Sequence, residues 1–169
     1  MSQSAIKCYK VGNHVSEHKL DSKGRIVLPA KLREKLGDVV YVTKGIEEYL
    51  ALYSKEAWSA LQEKIKGISY FSLSSQTRNA LRIMMDEEEI NIDSAGRILL
   101  PAELRQYARF GQDVKFIKLP THIEIWDKQL WKDRENFTLE NLSRLRKEKE
   151  SSTLENLSEL EQELKELGI

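Results

Sequence analysis

The 169-residue chain has a single cysteine, Cys8, so no disulfide can close within it, and no C-x-x-C pair or Cys/His cluster offers structural zinc a site. A reducing compartment and no metal are expected. No apolar run approaches the ~18 residues of a membrane span, and Lys7, Lys10, Glu17 and Lys19 interrupt the stretch a signal peptide would need. The expectation is a soluble, cytoplasmic protein without a membrane partner. None of the eight glycines falls in a G-x-G or Walker-type spacing, and no nucleophile-elbow sequence is present. Carboxylate pairs occur only in symmetric copies or acidic runs. The reading is therefore not an enzyme, with no catalytic residues, no cofactor and no small-molecule substrate. Nor is there charge of one sign, since 27 Lys and Arg are balanced by 27 Asp and Glu. A nucleic-acid partner would have to be held by a local patch, because phosphate contacts depend on where cations sit and not on their sum. Residues 1–45 carry nine basic side chains against four acidic ones, while residues 46–90 carry five against eight. The first quarter is the cationic one.

What the chain does have is an internal repeat. Leu20-Asp21-Ser22-Lys23-Gly24-Arg25-Ile26-Val27-Leu28-Pro29-Ala30-Lys31-Leu32-Arg33 returns 72 residues later as Ile92-Asp93-Ser94-Ala95-Gly96-Arg97-Ile98-Leu99-Leu100-Pro101-Ala102-Glu103-Leu104-Arg105. Ten of sixteen positions from Asp21 to Leu36 are identical to their counterparts. Further on, Tyr49 to Trp58 aligns with His122 to Trp131 at an offset of 73. Two copies of one unit are present.

Asp-Ser-x-Gly between aliphatic and β-branched residues predicts a hairpin whose glycine is available for positive φ. Pro29 and Pro101 then open short helices over 29–36 and 101–108, with Leu32 and Leu104 inward. Val39-Val40-Tyr41-Val42 and Val114-Lys115-Phe116-Ile117 read as strands, each followed by a turn and a strand ending in Tyr53 or Trp126. One such unit, about 40 residues with open sheet edges, has too small a core to stand alone, so the two must pair. Helices are predicted over 55–66 and 75–85, with Lys128 to Phe137 the counterpart of the first. Asp86-Glu87-Glu88-Glu89 reads as a solvated acidic turn or a subunit contact. The tryptophans Trp58, Trp126 and Trp131 read as core closure at the unit ends.

After Phe137 the composition suits one or two solvated helices. Thr138 to Leu145 returns 15 residues later as Thr153 to Leu160 with seven of eight positions identical, and Leu157, Leu160, Leu164 and Leu167 form a helical seam. The expected divisions are a first repeat at 15–62, connecting helices at 63–88, a second repeat at 89–133 and a helical charged tail at 134–169.

Asp-x-x-Gly-Arg followed by an aliphatic-Pro-Ala-x-Leu-Arg element, twice in one chain with both tryptophan ends, resembles the MraZ family of bacterial transcriptional regulators. The two halves of that family are SpoVT/AbrB-like. The resemblance covers roughly Val15 to Asp133. It implies an α+β fold with a mainly β core, in which tandem repeats form a pseudo-twofold barrel of swapped-hairpin type with short helices and a helical C-terminal tail. It further implies a ring-shaped homo-oligomer and sequence-specific binding to double-stranded promoter DNA, at repeated sites of the division and cell wall gene cluster. A nucleoid-associated cytoplasmic location goes with that role.

Arg25 and Arg97 each follow the turn glycine, Gly24 or Gly96, and either grip a phosphate or guanine edge or pair with Asp21 and Asp93 across the same turn. The two roles are compatible, with the aspartate orienting the arginine. Lys23, Lys31, Arg33 and Arg105 read as supporting phosphate contacts or solvated face. His18, just ahead of the first loop, reads as near DNA or merely exposed, and with His14 it lacks the third ligand a metal would need. The rival class is an oligomeric scaffold without specific DNA binding.

Overall fold

The structure is a computed structural model, and it describes residues 14–150 and Leu164. Two compact units divide it, residues 1–128 and 129–169. In the first unit the elements run β1 (Val15–Lys19), β2 (Arg25–Val27), α1 (Ala30–Leu36), β3 (Val39–Lys44), β4 (Leu50–Ser54), α2 (Lys55–Lys66), a 3-10 turn at Tyr70–Ser72, and α3 (Ser75–Met84). Then follow β5 (Glu87–Asn91), β6 (Arg97–Leu99), α4 (Ala102–Tyr107), β7 (Asp113–Lys118) and β8 (Ile123–Asp127). The last helix, α5 (Lys128–Glu150), begins where the first unit ends. This is the expected α+β class with a mainly antiparallel β core, short helices and a helical C-terminus.

Local chemistry sets the element ends. Pro29 and Pro101 sit one residue outside α1 and α4, at φ −55° and −54°, which prepares the entry without a side-chain cap. Ser54 caps α2 by accepting from Ala57 N–H at 3.1 Å, and Ser74 caps α3 by accepting from Thr77 N–H at 3.1 Å. Gly37 ends α1 in the left-handed region at φ 78°, its N–H donating to Arg33 O. The second copy has Arg109 at the matching place, at φ 53°.

Six strands form one antiparallel sheet in the order β1-β7-β8-β4-β3-β5, and β2 pairs with β6 in a separate ribbon. The copies are interleaved. β1 of the first copy pairs with β7 of the second, β5 of the second pairs with β3 of the first, and the ribbon takes one strand from each. Closure into the expected barrel is not found among the described residues, because β1 and β5 remain sheet edges and the ribbon lies beside them without continuing the ladder.

The hairpin expected between β1 and β2 is corrected on the same ground. Only the bridge Leu20↔Ile26 and the bond from Asp21 N–H to Arg25 O join them. Arg25 N–H donates to the Asp21 carboxylate, which ends that ladder and frees β2 to pair with β6. The acidic run is also corrected. Glu87, Glu88 and Glu89 lie in β5, where β3 supplies the backbone bonds and all three side chains remain exposed at a sheet edge, a placement that discourages edge-to-edge association.

The main core draws on both copies. Ile26, Leu28, Ile98 and Leu100 are at most 1% exposed and meet Val40, Val42, Leu50, Phe116 and Ile125. Each buried aliphatic contributes about 1.5–3 kcal/mol by leaving water. A smaller cluster centred on Trp58 packs against Tyr53, Tyr41, Leu61 and Met85. Trp126 is buried as expected, while Trp131 is half-buried in the second unit. In that unit α5 is one continuous helix to Glu150, with Gln129 donating to Asp133 at 2.8 Å and Phe137 and Leu139 exposed. The second copy of the 15-residue repeat, and the leucine seam apart from the exposed, helical Leu164, lie outside the described residues, as does Cys8.

Candidate nucleic-acid interface

The two Asp-Ser-x-Gly-Arg turns fold alike. In the first, Gly24 N–H donates to Asp21 O at 3.0 Å, and Asp21 Oδ1 accepts from Lys23 N–H and Arg25 N–H, each at 2.9 Å. In the second, Gly96 N–H donates to Asp93 O at 2.9 Å, and Asp93 Oδ1 accepts from Ala95 and Arg97 N–H, each at 2.9 Å. Gly24 and Gly96 stand at φ 82° and 75°, where other residues are strained. The second oxygen of each carboxylate takes the arginine, with Arg25 Nε to Asp21 Oδ2 at 2.6 Å and Arg97 Nε to Asp93 Oδ2 at 2.8 Å.

Both roles foreseen for these arginines therefore fit one geometry. The ion pair uses Nε, and among the described residues nothing occupies the Nη groups of either guanidinium. That leaves a planar pair of donors at the free edge of each fork, the geometry that suits phosphate or guanine. The carboxylates stay charged at neutral pH. Asp21 is held down to about 2, first by the Arg25 backbone N–H, with burial opposing and the Arg25 side chain and Lys23 N–H assisting. Asp93 is lowered for the same leading reason, its bond from Arg97 N–H.

The ribbon register brings the two turns together. Arg25 lies opposite Leu99, Ile26 opposite Ile98 and Val27 opposite Arg97, so Arg25 and Arg97 share one face while Ile26 and Ile98 enter the core. Two arginines 72 positions apart in sequence thus stand on one surface.

The other expected residues are placed as follows. The side chains of Lys23 and Lys31 are exposed and make no bond among the described residues. Arg33 is half-buried against the second turn, where a Cβ on Gly96 would stand 2.6 Å from its Nη1. Reciprocally, Arg105 covers the first turn, where a Cβ on Gly24 would stand 2.6 Å from its Cζ and Nε. Each turn is thus roofed by an arginine of the other copy. Arg105 Nε donates to Leu100 O at 3.0 Å, whereas Arg33 Nε is buried with no partner among the described residues. His18 is taken up in the face of β1, stacked on Phe116 at 4.1 Å between centroids and bonded to Ser16 Oγ at 2.7 Å. Burial and then the nearby Lys118 lower its pKa. Sequence reasoning missed the crossed arginine roofs, although the signal was present in the paired occurrence of turn glycine and helix arginine nine positions apart in both copies.

No helix among the described residues is long and apolar enough to cross a membrane, and none of their His, Cys, Asp and Glu side chains form a group of three able to hold a metal ion. The family model described as "MraZ protein, putative antitoxin-like" matches residues 13–81 and 83–154. A Caldicellulosiruptor bescii protein named Transcriptional regulator MraZ is 41% identical over 128 residues, covering 75% of this chain and 87% of its own length. Proteins of the same name from Thermoanaerobacter sp. (strain X514) and Acetivibrio thermocellus are 38% and 36% identical, covering 72% and 75% of this chain and 85% and 90% of theirs. With both copies of the repeat matched in order and relatives aligned across most of their length, the chain belongs to the MraZ family.

Proposed function

We propose that this protein is a transcriptional regulator that binds double-stranded promoter DNA sequence-specifically through the outer face of the β2–β6 ribbon. The observation that carries the reading is the duplicated geometry of Arg25 and Arg97, each oriented by an aspartate through Nε with its outer donors available on one surface. The names of the relatives support a regulatory role. Lys23 and Lys31 supply phosphate contacts, which position the protein, while the arginine forks read base edges. The protein acts as a ring-shaped homo-oligomer on repeated sites of the division and cell wall gene cluster. The open edge at β1 leaves strand surface for subunit contact, and repeated subunits match repeated sites.

The test is a set of binding isotherms on promoter duplexes from that cluster at several salt concentrations. Arg25→Ala and Arg97→Ala are each expected to lose about 1–3 kcal/mol of specific binding, the first more than the second, with circular dichroism unchanged. Normal binding by Arg25→Ala makes the Asp21–Arg25 pair purely structural. Absence of any specific complex with the parent protein favours the scaffold reading.

A further inference from the structure

The outer face of the ribbon holds two residues that the arginine reading leaves unused. With Ile26 and Ile98 inward, the side chains facing out are Arg25 and Leu99 in one cross-strand pair and Val27 and Arg97 in the other. Val27 is 53% and Leu99 54% exposed, although both stand in strands whose alternate positions are fully buried. They occupy the same position of the two copies, and each lies directly opposite the arginine of the other copy. A single exposed aliphatic is ordinary; a symmetric pair framed by two cations is a patterned surface.

The occupant of that surface must offer acceptors to the two arginines and an apolar group beside each of them. A second copy presenting the same face would set Arg25 and Arg97 against their like, which costs energy. Duplex DNA meets both demands in its major groove, which is ~12 Å wide and admits a two-stranded ribbon, and where thymine alone presents a methyl group among the donors and acceptors. The geometry points to Val27 and Leu99 as specificity-determining residues that pack on the 5-methyl groups of thymines beside the groups gripped by Arg97 and Arg25. This inference rests on the DNA-binding reading and adds to it a base preference that hydrogen bonds do not supply.

The experiment selects duplexes from a randomised library with the full-length protein and then replaces each thymine of an enriched duplex by deoxyuridine, which removes only the methyl group. Uracil at symmetric positions is expected to weaken binding about fourfold per methyl lost from an apolar contact. The double variant Val27→Ala, Leu99→Ala is expected to bind thymine and uracil duplexes alike, with circular dichroism confirming its fold. Indifference of the parent protein to uracil at every position overturns the inference and leaves the regulator reading intact. So does a double variant that stays as sensitive as the parent, or one that keeps its thymine sensitivity while changing oligomeric state in light scattering, which makes the pair a subunit contact. If the folded parent enriches no sequence, the regulator reading falls and this inference falls with it.

Discussion

The two copies have the same skeleton but spend their variable positions differently. Lys23, Lys31 and Lys35 of the first copy correspond to Ala95, Glu103 and Tyr107 of the second. The three lysine side chains are exposed and make no bond among the described residues. Two of their replacements fasten α4 to the first copy: Glu103 pairs with Lys44, and Tyr107 Oη donates to the Gly45 carbonyl. Arg109, held at positive φ, adds a 2.7 Å ion pair to Glu48, which is itself at φ 61°. Among the described residues α1 has no polar fastening of this kind and relies on buried Leu32 and Leu36 and on Arg33. The difference teaches a division of labour: one copy's polar positions hold the body together, and the other's stay exposed on the surface to which the proposed function assigns the phosphates.

The most severe way to break the comparison is to separate the copies. Residues 14–62 and 87–127, expressed apart, are each expected to be unfolded or to self-associate, because β1, β5 and the ribbon find their strand partners in the other copy. Two stable monomeric halves by circular dichroism and light scattering contradict the interleaving. Next in size, converting the first copy toward the second with Lys23→Ala, Lys31→Glu and Lys35→Tyr should shallow the dependence of DNA affinity on log salt by about two to three units. Ala95→Lys alone should steepen it by about one. Equal slopes for all these proteins deny the first copy its phosphate role.

A smaller effect separates the helices themselves. Tyr107→Phe is expected to cost about 1 kcal/mol in chemical denaturation by orphaning the Gly45 carbonyl, whereas Lys35→Ala at the matching position should change stability by under about 0.5 kcal/mol. The slightest effect is with acid. Both loop aspartates have folded pKa values below their unfolded value, so their stabilisation is present above pH ~4 and is lost as pH falls further, for Asp21 toward its folded value of about 2. Thermal melts of the parent should therefore decline over that interval, and Asp21→Asn should decline less. An identical acid profile for the variant removes Asp21 from the linkage.

Much of this was legible in the residues. The glycines after each turn, the prolines before α1 and α4, and the aliphatic alternation through Ile26 and Ile98 define the strands, turns and short helices locally. Strand partners are not local. Ile26 faces the core whether β2 pairs with β1 or with β6, so alternation fixes the face and is silent on the neighbour. The polarity of Glu87–Glu89 reports on the side chains and not on the backbone, which β3 bonds regardless of what those side chains are. The position of the turn arginines is written in the sequence, yet the use of Nε for the aspartate, which leaves the outer fork open among the described residues, depends on rotamers that no spacing records.

The crossed roofs over Gly24 and Gly96 make the two copies mutually dependent for substitution as well as for shape. A duplicated sequence ordinarily lets one copy drift while the other keeps the task. Here a change at Arg33 acts on the second turn and a change at Arg105 on the first, so a substitution in either helix is felt in the loop of its twin. The side chains of Lys23 and Ala95 differ without touching the other copy, whereas each roofing arginine is tied to its partner's glycine and neither can be exchanged alone.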